Sequence, residues 1–261
     1  MVLAPSVGDR ELFGPAHAVS TSTWRGAERP ADSELLVSEV FGPTVQGEGP
    51  AVGRAASFLR LGGCNLSCSW CDTAYTWDAS RHDLSRELTV RRTDDVAGEL
   101  LAIGAPLVVV TGGEPLLQAA ALLPLVRSLK ASGADVHVET NGTVFAEDLV
   151  GPVDMFVVSP KTSNSGTAER ARHRHEVLAS FAATPGAVFK FVVTEAADLE
   201  EVDVIVASLG LAPSRVWVMP EGTTADRIVD ASQWLAPLAA QRGWTLGTRL
   251  HVLLWGDTRG R

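Results

Sequence analysis

Three cysteines, Cys64, Cys68 and Cys71, lie within one short stretch and are the only cysteines of the 261-residue chain. An odd number at this spacing does not form a disulfide framework, whereas three thiolates on one loop can converge on a metal centre. Buried inert cysteines, structural zinc and an iron–sulfur cluster are the alternatives. Zinc usually takes four ligands from paired Cys or His motifs. A four-iron cluster normally takes four cysteines, so three would leave one iron open to a small molecule.

The elements that must position this loop can be predicted from residue patterns. Apolar runs alternate with amphipathic segments from Leu35 onward, which predicts βαβ units and a parallel sheet or barrel. We predict a poorly ordered extension over residues 1–33, because it lacks periodicity, and a core domain over 34–261. The predicted strands are Ser57–Leu61, Leu107–Thr111, Val136–Glu139, Met155–Ser159, Val188–Val193, Arg215–Met219 and Leu250–Leu254. The predicted helices are Thr93–Ile103, Leu116–Ser132, Ala168–Ala182, Ala197–Ser208 and Ala225–Gln241.

Four of the predicted strands lead directly into a polar, small or glycine-containing turn. Sites in parallel α/β folds form where the C-terminal ends of the strands meet. Four such turns in register therefore predict one common site. The turns are Thr111-Gly112-Gly113-Glu114-Pro115, Glu139-Thr140-Asn141-Gly142, Ser159-Pro160-Lys161 and Met219-Pro220-Glu221-Gly222.

Composition and charge exclude several classes of partner. The chain is 46% hydrophobic and 20% charged, with a net charge of −9. This balance argues against binding to nucleic acid or to an anionic membrane, both of which require a basic face. No apolar run approaches the roughly 20 residues of a membrane span, and the N-terminus does not resemble a signal peptide. We therefore expect a cytoplasmic protein, in which thiols stay reduced.

The cysteine loop resembles that of the radical S-adenosylmethionine (SAM) enzymes. Its spacing is Cys-x3-Cys-x2-Cys, with the aromatic Trp70 before the last cysteine, and the Gly112–Pro115 turn resembles the amine-contacting motif of that superfamily. The resemblance implies a [4Fe–4S] cluster held by Cys64, Cys68 and Cys71, with SAM chelating the open iron. It also implies the fold class, an α/β protein with a partial, modified (β/α) TIM-like barrel.

Four further segments are similar to the 7-carboxy-7-deazaguanine synthase family. They are Phe41–Gly49, Phe58–Cys64, Cys71–Thr73 and Leu250–Gly256. This resemblance implies conversion of 6-carboxy-5,6,7,8-tetrahydropterin to 7-carboxy-7-deazaguanine with loss of ammonia, in queuosine and other 7-deazapurine pathways. It further implies a need for Mg²⁺, a flavodoxin- or ferredoxin-type electron donor and a homodimer.

The substrate side of the site combines chemistry and resemblance. Gln46 and Glu48 match the donors and acceptor of a pterin's amino-pyrimidinone edge, and Arg60 suits bidentate binding of a carboxylate. By resemblance the chain end folds back, so we expect the terminal carboxylate of Arg261, with His251, to approach the substrate. The full expected substrate set is Val45, Gln46, Gly47, Glu48, Arg60, Thr111, His251 and Arg261.

The cofactor side is expected mainly from the turns. Glu114 can accept hydrogen bonds from an ammonium group, Thr73 corresponds to the magnesium-ligating position of the family, and no side chain is predicted to act as a general acid or base. Lys190, between two phenylalanines, is left unassigned: it either faces the barrel interior or marks a sheet edge. The expected SAM set is Trp70, Cys71, Asp72, Gly113, Glu114, Thr140, Ser159, Pro160, Lys161, Met219, Pro220 and Glu221.

Two other functions share part of this pattern. An activase that makes a glycyl radical on a partner protein would have the cysteine loop and the Gly-Gly-Glu turn, but it does not predict the Gln46–Gly49 loop or the C-terminal segment. A non-catalytic zinc-binding module would have the cysteines alone. Visible colour separates iron–sulfur from zinc, and the choice of substrate separates the two enzymes.

Overall fold

A computed structural model of the chain describes residues 30–261, so residues 1–29 of the expected N-terminal extension lie outside the described residues. The strands are β1 Glu34–Val45, β2 Ala55–Leu61, β3 Thr89–Arg92, β4 Leu107–Gly112, β5 Asp135–Thr140, β6 Met155–Val158, β7 Ala187–Val193, β8 Val216–Pro220 and β9 Thr245–Leu246. The α-helices are α1 Leu84–Glu87, α2 Thr93–Ile103, α3 Ala119–Ala131, α4 Glu169–Arg172, α5 His175–Ala183, α6 Asp198–Leu209, α7 Ala225–Gln241 and α8 Leu250–Trp255.

All nine strands belong to one sheet, in the order β3-β1-β2-β4-β5-β6-β7-β8-β9. Neighbouring strands from β2 to β9 are parallel, whereas β1 runs antiparallel to both β2 and β3. Within residues 30–261 the end strands β3 and β9 do not pair, so the sheet stays open. This open, mostly parallel sheet confirms the predicted partial (β/α) barrel.

The helices begin and end where local chemistry favours it. Asp94 and Asp95 lie in the first turn of α2, where carboxylates complement the helix dipole, and Gly104 ends that helix in the left-handed conformation. The hydroxyl of Thr224 caps α7 by accepting a hydrogen bond from the amide of Arg227 at 3.4 Å. The predicted bounds of both helices are confirmed. None of the helices in the described part of the chain is long and apolar enough to cross a membrane.

Side chains along each central strand alternate between a helix-covered core and the concave face of the sheet. On β4, Val110 belongs to the main core while Thr111 lines a cavity on the other face. On β7, Phe189 and Phe191 are fully buried in that core, where each contributes about 1.5–3 kcal/mol. Lys190, between them, points the other way into the cavity. Of the two positions left open for this lysine, the structure therefore selects the barrel interior.

The predicted strand Leu250–Leu254 is wrong, because this segment forms helix α8. A short apolar run does not distinguish strand from helix by periodicity. In the structure only Val252 is buried, while Leu253, Leu254 and Trp255 are exposed. This one-sided burial fits a helix that lies on the surface of the barrel mouth rather than a buried strand.

Two further differences concern element bounds. The single helix predicted over Ala168–Ala182 is divided into α4 and α5, and the start of the predicted helix Leu116–Ser132 is a 3-10 turn, Pro115–Gln118. Strands β1, β3 and β9 were not predicted. Strand β9 has only two residues. Strands β1 and β3 form the antiparallel end of the sheet, where β3 is only four residues long and mostly exposed.

Candidate active site

One cavity of about 210 Å³ opens at the C-terminal ends of the parallel strands. It is lined by all of the sequence-predicted site residues except Glu114 and Pro160. Strands β1, β2, β4, β5, β7 and β8 each contribute at least one lining residue, and the loops after β1, β2 and β6 and the C-terminal tail contribute others. The common site expected from four turns in register is therefore a single cavity in this structure.

The three thiols lie together in this wall, and protein groups donate to two of the sulfurs. The amide of Leu66 donates to Sγ of Cys64 at 3.4 Å, and the indole N–H of Trp77 donates to Sγ of Cys71 at 3.3 Å. All three cysteines are free. Burial raises the pKa of Cys64 and of Cys68 above the ordinary thiol value, and coordination to a metal centre would favour their thiolate forms. Three thiols on one loop, two of them with donors on their sulfurs, fit an iron–sulfur cluster.

Glycines let the turn after β4 approach the cysteine loop. A Cβ on Gly113 would lie 2.1 Å from the carbonyl oxygen of Gly63, and one on Gly112 would lie 2.2 Å from that of Leu61. The amide of Glu114 donates to the Gly63 carbonyl at 2.9 Å. These contacts hold the two turns in direct backbone contact, which only glycine permits.

Glu114 lies behind the cavity wall rather than on it. The side chain is fully buried, and its carboxylate accepts hydrogen bonds from the amide of Leu116 at 3.0 Å, the hydroxyl of Thr140 at 2.8 Å and the amide of Asn141 at 2.6 Å. Burial raises its pKa to about 7, against the effect of these donors. In this structure Glu114 ties the turn after β4 to the turn after β5, and Gly113 faces the cavity in its place.

Lys161 and Trp70 form the wall expected to face SAM. The ammonium group of Lys161 lies 5.4 Å from the centroid of the Trp70 ring and donates to the hydroxyl of Ser159 at 2.8 Å. The indole N–H of Trp70 donates to the carbonyl of Asn164 at 3.1 Å. A cation over an aromatic face and an anchored indole fix both side chains at the cavity edge.

Gln46 and Thr111 are both held by Glu139, which belongs to one of the four turn motifs but was not among the expected site residues. Gln46 Nε2 donates to Oε1 of Glu139 at 3.0 Å, and the Thr111 hydroxyl donates to Oε2 at 3.0 Å. Glu139 lines the cavity. Its cavity-facing position near the C-terminal end of β5 was the signal that could have identified it.

Glu48 lies between two buried cations, Lys190 and Arg249. Lys190 Nζ contacts Oε2 of Glu48, and Nε of Arg249 donates to Oε1 at 2.9 Å. Burial alone would raise the pKa of Glu48, but the two cations hold it well below its ordinary value. Arg249 also pairs with Asp72 of the cysteine loop. Neither cation was assigned from the sequence, since each is an isolated charge outside any motif.

Arg60 reaches the cavity from the end of β2. Its Nε donates to Oε2 of Glu39 at 3.0 Å, and its guanidinium carbon lies 5.8 Å from the centroid of the Phe41 ring. Burial opposes the charge, but Tyr75 and Glu39 raise the pKa of Arg60 above its ordinary value. The cation is therefore fixed and charged at the cavity wall.

The C-terminal tail folds back over this wall, as expected. The amide of Leu250 donates to the carbonyl of Gly47 at 2.8 Å, and the His251 ring packs on the Gly47 backbone. Burial lowers the pKa of His251, with an opposing effect of Glu48. Arg261 lines the cavity, and Thr73 lies beside the cysteines with its hydroxyl 3.7 Å from Sγ of Cys71.

Arg259 anchors the tail. Its Nε donates to Oε1 of Glu39 at 2.6 Å, and its Nη1 donates to Glu87 at 2.9 Å. Its guanidinium carbon lies 3.8 Å from the centroid of the Tyr75 ring. This anchor was not predicted, because neither glutamate belongs to a recognisable motif.

Comparison with known proteins identifies the family. Residues 59–183 match the Radical SAM superfamily. The 7-carboxy-7-deazaguanine synthase of Pyrobaculum aerophilum is 37% identical over 88% of this chain and 99% of its own length. The corresponding enzyme of Halobacterium salinarum is 36% identical over 92% of this chain and 98% of its own length.

A solved structure agrees with this assignment. The crystal structure of QueE from Escherichia coli is 29% identical to this chain, superposes with a TM-score of 0.65, and covers 84% of this chain and 95% of its own. Superfamily membership implies a [4Fe–4S] cluster and SAM, in agreement with the three thiols and the glycine turn beside them. The chain belongs to the 7-carboxy-7-deazaguanine synthase family of radical SAM enzymes.

Proposed function

We propose that the protein converts 6-carboxy-5,6,7,8-tetrahydropterin to 7-carboxy-7-deazaguanine and ammonia, a ring contraction used in queuosine and other 7-deazapurine pathways. The observation that carries this proposal is the shared cavity. The cysteine loop forms one part of its wall, and Gln46, Glu48 and Arg60 form another. A radical generated at the cluster would therefore arise within the space that holds the pterin.

The residues present fit the expected cofactors. Cys64, Cys68 and Cys71 would hold the cluster, and the turn at Gly113 with Ser159 and Lys161 would hold SAM. When bound, these groups would supply a 5′-deoxyadenosyl radical able to take hydrogen from C6 of the substrate, so the radical chemistry belongs to the cofactors. The protein supplies position and a site shielded from water.

The pterin would bind to hydrogen-bonding groups that neighbouring residues already hold in position. Glu48 remains an anion between two cations, and its unused lone pairs can accept N–H groups of the amino-pyrimidinone edge. Glu139 holds the amide of Gln46 and the hydroxyl of Thr111 in place. Arg60 is turned toward the cavity for the carboxylate. His251 and the terminal carboxylate of Arg261 would close the site over the ring.

Mg²⁺ is the third cofactor that we propose. Thr73 offers a hydroxyl oxygen at the cavity wall beside Cys71. Magnesium prefers oxygen ligands and retains several waters, so it is usually bound through a few protein groups together with the substrate. Thr73 and the substrate carboxylate would supply such ligands and fix the carboxylate relative to the cluster.

The remaining partners follow from the family resemblance. We propose a flavodoxin- or ferredoxin-type electron donor, a homodimer and a cytoplasmic location, where the thiols stay reduced. Activation of a glycyl-radical protein and zinc binding without catalysis are not favoured. The family match disfavours both, and neither explains a cavity whose wall includes the Gln46–Glu48 loop.

Anaerobic reconstitution tests the reaction. The protein is loaded with iron and sulfide, then mixed with SAM, dithionite, Mg²⁺ and the carboxy-tetrahydropterin, and the products are identified by mass spectrometry. We expect 7-carboxy-7-deazaguanine with one equivalent of ammonia, and less product when Mg²⁺ is left out. Cys68→Ala should abolish turnover and the brown colour of the cluster. Full turnover by Cys68→Ala, or no product from the reconstituted wild-type protein, would contradict the proposal.

A further inference from the structure

Arg249 contacts three loops that are far apart in the sequence. Its Nε donates to Glu48, in the loop after β1, and its Nη2 pairs with Asp72 of the cysteine loop. Its Nη1 donates to the carbonyl of Gly222, after β8, at 2.5 Å. The side chain is only 8% exposed. All three guanidinium nitrogens are therefore used, each on a different segment of the cavity wall.

This geometry requires an arginine. The guanidinium group is planar and presents its donors in a fixed fork, so its two carboxylate partners are set at a fixed separation. A lysine at position 249 would carry the same charge on one nitrogen and would not reproduce three directed contacts. The position therefore uses the shape of the arginine side chain as well as its charge.

Lys190 supports the same carboxylate from the sheet. It extends from β7, is 7% exposed at its side chain and contacts the Glu48 oxygen that Arg249 leaves free. Among residues 30–261, the charged or titratable groups that act on Glu48 are Lys190, Arg249 and His251, while Glu139 and Asp72 act on those cations in turn. Glu48 is thus held from two sides, by a rigid strand and by the tail segment before α8.

We propose that Arg249, supported by Lys190, is a positioning residue that couples the pterin-facing Glu48 to the cysteine loop through Asp72. This inference rests on the proposed function, because it takes the pterin as the ligand of Glu48. Through this coupling the pterin side and the cofactor side of the cavity keep a fixed position relative to each other. A change at the cysteine loop then alters pterin binding although Asp72 lies on the cofactor side. By linkage the effect is reciprocal, so SAM and pterin should each change the affinity of the protein for the other by the same factor.

A double-mutant cycle in ligand binding tests this coupling. The non-reacting 6-carboxypterin is titrated into cluster-reconstituted wild-type protein, Asp72→Asn, Arg249→Gln and the double variant, and its dissociation constant is measured. Removing one partner of a buried charge pair leaves the other charge buried and unpaired, so we expect Arg249→Gln to weaken binding by about tenfold or more. Asp72→Asn should weaken it several-fold alone and have no further effect in the Arg249→Gln background.

Matched variants separate coupling from a folding defect. Arg242→Gln removes an arginine paired with Asp203 at 2.9 Å away from the cavity, and should leave pterin binding unchanged. Arg249→Lys should be only partly active in binding, because it keeps charge without the fork. Asp72→Asn alone, at a half-buried side chain, keeps the test valid if Arg249→Gln does not fold. Equal effects of Asp72→Asn in both backgrounds, or none on binding in the wild-type background, would overturn the inference.

Lys190 adds a readout that a purely structural role would not change. Lys190→Met removes a cation that holds the pKa of Glu48 low, so that pKa rises and the acid limit of pterin binding moves to higher pH. Lys190→Arg should restore the wild-type limit. An unchanged limit in Lys190→Met would contradict the supporting role of Lys190. If wild-type protein bound no 6-carboxypterin and formed no product, the proposed function itself would fail, whereas binding without coupling would overturn only this inference.

Discussion

Arg60 lines the cavity with most of its guanidinium donors unused. Within residues 30–261 only its Nε has a hydrogen-bond partner, Glu39, so both Nη atoms remain available. The Phe41 ring beneath it, itself stacked on Phe58 at 4.9 Å, fixes the plane of the group. A fixed plane with two free donors is the arrangement that binds a carboxylate through both oxygens.

Replacing Arg60 with lysine should therefore affect binding of the substrate more than radical generation. Losing one of two charged hydrogen bonds costs about 1.5–3 kcal/mol, so KM for the carboxy-tetrahydropterin should rise about tenfold or more. Cleavage of SAM without substrate should be unchanged. Arg91→Lys, at an arginine paired with Glu99 at the sheet edge, is the control. Equal KM values for Arg60→Lys and wild type would contradict the assignment of Arg60 to the carboxylate.

Residue types alone indicated the part of the site that lies in short motifs. The three cysteines, the Gln46–Glu48 loop and Arg60 all line the cavity as expected. Glu39 and Arg249 were not found, because each is a single charged residue whose partner is distant in sequence. Arg249 and Glu48 are 201 positions apart. Such contacts depend on the tertiary fold, and no local pattern reports them.

At the scale of elements, the central strands were predictable because buried parallel strands are continuous apolar runs. The elements near the two ends of the described chain were less predictable from the sequence. Helix α8 is only six residues long, too short for its own periodicity to predict it. Contacts with the loop after β1 determine its position. Its first amide donates to the carbonyl of Gly47, and the His251 ring occupies the space that a side chain at position 47 would need.

Gly47→Ala should displace α8 from the cavity. The added Cβ would lie 2.0 Å from Nδ1 of His251 and 3.0 Å from its backbone nitrogen, so the helix itself must move. Overpacking of this kind costs about 1–3 kcal/mol, which thermal unfolding will show as a lower Tm. Hydrogen exchange in residues 250–256 should become faster. Gly98→Ala, at a helical glycine with open space around it, is the control and should not lower Tm. Unchanged exchange in α8 would contradict the close contact.

At the scale of the whole molecule, the end of the chain reaches the cavity of an open sheet. Among residues 30–261 the end strands β3 and β9 do not pair, and Arg261 of the tail after α8 lines the cavity. Arg259 of the tail shares Glu39 with Arg60, one carboxylate oxygen to each guanidinium group. The position of the tail and the position of Arg60 are thus connected through one residue of β1.

Arg259→Gln should release the tail while leaving the barrel intact. The ion pairs of Arg259 are half-exposed, and such pairs contribute only about 0–1 kcal/mol each, so Tm should change little. The tail carries Arg261 at the cavity, however, so KM for the pterin should rise several-fold and hydrogen exchange in residues 257–261 should become faster. Arg54→Gln, at an arginine of similar exposure paired with Asp135 away from the cavity, is the control. Wild-type KM in Arg259→Gln, despite faster exchange in the tail, would show that the chain end takes no part in holding the substrate.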